Sequence, residues 1–104
     1  MKTYKLRVDR PAEKDLFDIF RYVTEILKEP ETAERLYRTL MDQILTFHTS
    51  PLRYNVTEIE PYALRGVRKM PVHNYLVFYV VDDASNTVHI LRVLYSRRDW
   101  GNLI

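Results

Sequence analysis

Two clusters of basic side chains are where this chain is equipped to do chemistry. Arg65, Arg68 and Lys69 fall within residues 61–81, a stretch without a single acidic residue. Arg92, Arg97 and Arg98 close the apolar run Val88–Tyr95 and are answered only by Asp99. A guanidinium presents a planar fork of donors that grips phosphate or carboxylate bidentately, which an ammonium cannot do. The chemistry on offer is therefore anion binding. Other constellations are not available. The three histidines, His48, His73 and His89, lie far apart with no carboxylate at ligand spacing, so no metal site is expected. There is no glycine-rich phosphate loop and no serine–histidine–aspartate arrangement, and no cofactor is expected.

The formal charge of +2 is unevenly spread. Residues 1–52 carry nine basic and nine acidic side chains, whereas residues 53–104 carry seven and five. A basic surface on the second half would suit a polyanion, because phosphate contacts supply most non-specific nucleic-acid affinity. The length of 104 residues suits one domain over 1–104 with one core. The chain has no cysteine, which excludes disulfides and thiolate metal sites and fits a reducing cytoplasm. The N-terminus alternates polar and apolar residues, so neither a signal peptide nor a membrane span is expected. The expectation is a small cytoplasmic protein with no membrane partner.

Positioning the basic groups requires a frame. Tyr4, Leu6 and Val8 alternate with Lys5 and Arg7, the period of a half-buried strand over 3–8. Asp9 and Pro11 mark a helix start. Ala12, Leu16, Ile19, Phe20, Val23, Ile26 and Leu27 follow at helical spacing as one apolar stripe. After the break at Glu29-Pro30 a second helix repeats the pattern with Ala33, Leu36, Tyr37, Leu40, Met41, Ile44 and Phe47, ending near His48–Pro51. So short a break predicts an antiparallel helical hairpin. Residues 51–62 read as irregular. Strands are then expected near 64–70, 74–82 and 87–96, joined by turn formers at Pro71-Val72-His73 and Asp83-Ala84-Ser85-Asn86. The middle strand is apolar on both faces, as in a sheet covered on one side and partly filled on the other. The class is α+β in the order β-α-α-β-β-β, a helical hairpin packed on one face of a mostly antiparallel sheet.

Strand alternation would send Arg97 and Arg98 to opposite faces. Without further context, Arg97-Arg98-Asp99 is as well explained by a solvated strand end, worth about 0–1 kcal/mol. Tyr75, Tyr79 and Tyr95 read first as packing aromatics. His48 is expected to interact with a helix C-terminus, and His89 to point outward or meet a neighbour.

This layout resembles the RelE/ParE family of bacterial toxins over essentially the whole chain. The matching signatures are Ala12-Glu13-Lys14-Asp15-Leu16 with Ile19 and Tyr22; Pro30, Ala33 and Leu36; Pro51; Gly66-Val67-Arg68; Asn74-Tyr75-Leu76-Val77-Phe78-Tyr79; and Arg92–Asp99. The resemblance implies the toxin of a type II toxin–antitoxin module of the plasmid-stabilisation type, which arrests growth and is neutralised by a cognate antitoxin protein. RelE-like members cleave messenger RNA on the ribosome. ParE-like members poison DNA gyrase and are not nucleases.

A metal-free nuclease must activate a 2′-hydroxyl, stabilise the phosphorane and protonate the leaving oxygen. RelE-like toxins use Lys, Arg and Tyr on the open sheet face. By resemblance Arg68 and Arg97 occupy two such positions, with Tyr95 completing the catalytic set if the protein is a nuclease. Arg65, Lys69, His73 and Arg98 would then contribute to target or anion binding. Two departures point away from nuclease chemistry. Leu76 stands where RelE-type enzymes carry arginine, and Trp100 stands where they carry tyrosine; an indole cannot cycle a proton. A ParE-like gyrase poison is therefore preferred. The alternatives are a ribosome-dependent endonuclease and an inactive interaction module. Phe17 and Leu45, at the edges of the helical stripes, are expected to contact the antitoxin. If Arg68 and Arg97 both face the open side of the sheet, they form a two-pronged anion site.

Overall fold

Strand β1 (Lys5–Val8) leads through Asp9, whose extended backbone makes it the N-cap, into α1 (Arg10–Arg21) with a proline in its first turn. The proline's absent N–H costs nothing at that position. The computed structural model describes residues 2–97. α1 runs on into a π-turn over Tyr22–Ile26. The wider turn rotates the apolar stripe, so Val23 is buried while Ile26 and Leu27 are 67% and 48% exposed. The even stripe expected from the spacing is thus broken in its last two members. Lys28, at φ 57, terminates the helix, and the Glu29 N–H reaches back to the Val23 carbonyl in a left-handed C-cap. α2 (Pro30–Leu45) returns antiparallel as a hairpin and tightens into a 3-10 turn over Thr46–His48.

Strands β2 (Arg68–Val72), β3 (Tyr75–Asp82) and β4 (Thr87–Tyr95) complete a four-stranded sheet of order β1-β4-β3-β2. β1 runs parallel to β4 and the other pairs are antiparallel. The α+β arrangement, two helices on one face of a mixed sheet, is the one expected. The core of the helix face joins Leu16, Leu40, Ile44 and Phe47 to Met70, Val77, Tyr79, Val88, Ile90 and Val93. Phe47 stacks on Tyr79 with centroids 4.0 Å apart. On the other face, residues 57–67 close a smaller core of Val67, Leu76, Phe78 and Leu94. That second cover explains why β3 is apolar on both sides.

Two boundaries differ from the sequence reading. β2 begins at Arg68 rather than near 64, and residues 59–66 form hydrogen-bonded turns instead. Pro71 lies inside β2, tolerated because β2 is an edge strand. The turn falls on His73-Asn74, with His73 at φ 51.

β1 reaches only as far as Val8, opposite Ile90. A register shift in β4 follows, with Phe78 opposite Arg92 and Tyr79 opposite Ile90. Helix α1 takes over where β1 stops. Its Asp15 carboxylate accepts the Val93 N–H at 2.9 Å and a bidentate pair from the Arg92 guanidinium at 2.7 and 2.9 Å. Among the described residues no helix is long and apolar enough to cross a membrane.

Candidate functional site

Register decides which face each basic side chain takes. Arg68 pairs with Tyr79, and Met70 and Val72 share its parity; all three neighbours belong to the helix-face core. Arg68 therefore stands on the helix side of the sheet, where its Nη1 donates to the Tyr54 carbonyl. The expectation that it faces the open side is corrected, because Arg68 alternates in step with Met70 and Val72, which face the helices, and the odd-numbered residues of β2 take the other face. Lys69, paired with Phe78, takes that opposite face instead.

Arg97 follows β4 in an exposed turn, where the Ser96 N–H donates to the Asn74 carbonyl at 2.8 Å. It thus lies at the β2–β3 hairpin end of the sheet. Tyr95 is at the same end, opposite Tyr75, with the two rings edge-on at 5.8 Å. Arg68 is level with Tyr79, four residues further along β3 than Tyr75. At about 3.3 Å per residue that is roughly 13 Å along the sheet, and β2 and β4 are two strands apart. Arg68 and the Tyr95–Arg97 pair do not converge. The two-pronged anion site is not formed.

The other expected binding residues are dispersed. His73 sits at the exposed hairpin tip, in a cleft with Thr32, Arg35 and Leu36 of α2. Arg65 lies over the Tyr62 ring at 5.9 Å in the segment covering the second core. Arg98, with Asp99 and Trp100, lies outside the described residues. Tyr79 is fully buried, and its hydroxyl donates to the Pro51 carbonyl at 2.7 Å. Burial pushes that hydroxyl up to about 12, against the pull of the nearby Arg68 charge. Burial likewise raises Tyr75, assisted by Tyr95 and Tyr22.

Phe17 and Leu45 fare differently. They are 63% and 56% exposed. Phe17 lines a groove of about 680 Å³ between α1 and α2 with Val8, Leu16, Phe20, Tyr37 and Met41. Phe20 and Tyr37 meet edge-on across it at 6.2 Å. Leu45 lies one turn beyond Met41 on the same face of α2. A second cleft of about 640 Å³ opens between α1 and the C-terminal half of β4, lined by Asp18, Tyr22, Leu27, Tyr75 and Tyr95 among others.

Sequence reasoning missed two features here. Arg92 was grouped with the anion-binding arginines, but the hydrogen bond to Asp15 holds it charged and occupied. The signal was the acid of Ala12–Leu16, which no local spacing could connect to β4. Residues 51–62 read only as irregular from the sequence, yet their first part is strapped down by Arg68 on Tyr54, Tyr79 on Pro51, and Arg53 on the Thr46 hydroxyl at 2.7 Å.

The profile of the family described as ParE toxin of type II toxin–antitoxin system, parDE, matches residues 6–100. Among curated proteins none matches the sequence. Solved structures share the fold. The chromosomal ParDE system from P. aeruginosa superposes with TM-score 0.75 at 19% identity, covering 91% of this chain and 98% of that one. The RelBE2 toxin–antitoxin complex from Mycobacterium tuberculosis gives 0.66 at 24% identity, with coverage of 89% and 98%. A mutant of the E. coli toxin RelE in the free state gives 0.63 at 16% identity, with coverage of 97% and 92%.

Proposed function

The chain belongs to the ParE toxin family of type II toxin–antitoxin systems, and on that premise we propose that it arrests bacterial growth as a ParE-like poison of DNA gyrase, held inactive by a cognate antitoxin. The observation that carries this reading is the dispersal of the basic groups. A nuclease needs a phosphate clamp and a proton carrier within hydrogen-bond reach of one scissile phosphate. Here Arg68 is committed to the Tyr54 carbonyl on the helix side, while Tyr95 and Arg97 lie at the far end of the sheet. Leu76, at the position of a nuclease arginine, is buried in the second core. A poison has no such requirement, since it acts by binding a target protein and needs separate contacts rather than a convergent site. Such a target places the protein in the cytoplasm.

The groove around Phe17, Phe20, Tyr37 and Met41 suits an amphipathic segment of the antitoxin, whose apolar residues would cover rings that the toxin alone leaves in water. That solved relatives are toxin–antitoxin complexes supports such a partner.

The decisive experiment incubates purified protein with gyrase, supercoiled plasmid and ATP, and in parallel with translating ribosomes. Accumulation of cleaved plasmid, suppressed by the small protein encoded beside this one, is the expected result. Messenger RNA cut in the ribosomal A site, with gyrase unaffected, would replace the proposal with the RelE-like endonuclease.

A further inference from the structure

The turns over 59–66 hold one side chain outward in a way the fold itself does not need. Leu64 is 86% exposed, the largest exposure among the big apolar residues described. Its backbone is nevertheless fixed on every side. The Ala63 N–H donates to the Ile59 carbonyl at 3.0 Å, and the Arg65 and Val67 N–H groups both donate to the Tyr62 carbonyl at 3.1 Å. The Gly66 N–H donates to the Ala63 carbonyl at 3.1 Å, and the Leu64 N–H to the Glu60 carboxylate at 3.3 Å. Gly66, at φ 72, turns the chain back into β2. Beneath this crest, Tyr62 packs on the second core.

Beside Leu64, the Arg65 guanidinium lies over the Tyr62 ring. It has no ion-pair partner among the described residues, and the nearby Glu60 carboxylate is taken up by the Leu64 N–H. A guanidinium held near a ring by a cation–π contact keeps its N–H donors for a bidentate carboxylate. Ile59, 46% exposed, widens the apolar surface. A side chain carried on a backbone already held by hydrogen bonds loses little main-chain freedom when it enters a pocket, which lowers the cost of binding.

Resting on the reading of the protein as a poison of a protein target, we infer that the crest Ile59–Arg65 is the target-contact surface: Leu64 enters an apolar pocket of the target and Arg65 pairs with a carboxylate at its lip. The crest belongs to the segment covering the sheet face opposite the helices, whereas the Phe17 groove lies between α1 and α2. Target binding and antitoxin binding are thereby separated in space, and substitution at the crest leaves the antitoxin surface intact.

The test uses the full chain with Leu64→Ser and Arg65→Glu made separately. Growth arrest on induction, gyrase-dependent plasmid cleavage, melting temperature and binding to the protein encoded by the neighbouring reading frame are measured for each. The expected result is at least a tenfold loss of growth arrest and of plasmid cleavage in both variants, with unchanged melting and unchanged neighbour binding. Full growth arrest by both variants overturns the inference whatever gyrase does. Loss with Arg65→Glu but not with Leu64→Ser overturns it in favour of an anion contact such as DNA. If wild type leaves gyrase untouched but its growth arrest still depends on both residues, the crest stands and the gyrase reading falls. A wild type that arrests no growth overturns both.

Discussion

The two faces of the sheet are closed by different means. On one, α1, α2 and the 3-10 turn bury a large core and a stacked Phe47–Tyr79 pair. On the other, a segment without helix or strand contributes Val67, covers Leu76, Phe78 and Leu94, and is held by its own turns. The helices draw polar side chains into structural roles: Asp15 ties α1 to Arg92 and the Val93 N–H where β1 stops, and on the helix face Arg68 straps the loop 51–56. The covering segment leaves Leu64 and Arg65 free of such duty. A charged residue is thus structural or available according to what its element packs against, not according to its type. Substitutions on the helix side should act through stability, and those at the exposed positions through function.

The largest effect is expected at Asp15. Its side chain is 11% exposed and satisfies both Arg92 and the Val93 N–H. Asp15→Ala removes the bidentate acceptor of a partly buried guanidinium and the acceptor of the Val93 N–H, and should cost about 3 kcal/mol in urea unfolding. A loss below about 1 kcal/mol would break the distinction between the faces. Tyr79 sharpens it through pH. Burial raises its hydroxyl from 10.0 to about 12. The unfolded chain therefore releases that proton first, and the stability tied to Tyr79 is complete below about pH 10 and lost as pH rises through about 12. Tyr79→Phe should show a flatter stability profile than wild type across that window. A slope unchanged from wild type would mean the hydroxyl is not held by burial.

Smaller effects follow. Arg68→Ala removes the strap on the Tyr54 carbonyl and should cost about 1 kcal/mol. Faster amide exchange confined to residues 51–57 is the accompanying signature, and exchange unchanged there would return Arg68 to the list of free anion contacts. Arg97→Ala, in an exposed turn, should change stability by less than about 0.5 kcal/mol. Its growth arrest should nonetheless fall if the arginine touches the target, since a charge-assisted contact is worth roughly 1.5–3 kcal/mol.

The frame was legible in the sequence because two periods carry it. Leu16, Ala33, Leu40 and Ile44 recur at helical spacing and Val77 and Tyr79 alternate, and all are buried where those patterns put them. The site was less legible, for one physical reason. A strand has a period of two, so the register that sets Arg68 opposite Tyr79 and Lys69 opposite Phe78 settles which of the two faces the helices. Sequence spacing could not set that register, because Pro71 looks like a breaker and is tolerated only at the sheet edge. The Asp15–Arg92 pair joins residues 77 positions apart, a distance no local pattern crosses. Phe17 and Leu45 were readable as stripe edges, since an apolar residue just off a buried face has only solvent or a partner to meet.

The central claim, a protein poison rather than a ribonuclease, is tested most directly inside cells. After a few minutes of induction, chromosomal double-strand breaks and the rate of protein synthesis are followed in the same culture. A gyrase poison produces breaks and a DNA-damage response before translation slows. Immediate translational arrest with messenger RNA cut at the ribosomal A site, and an intact chromosome, is the result that would contradict it.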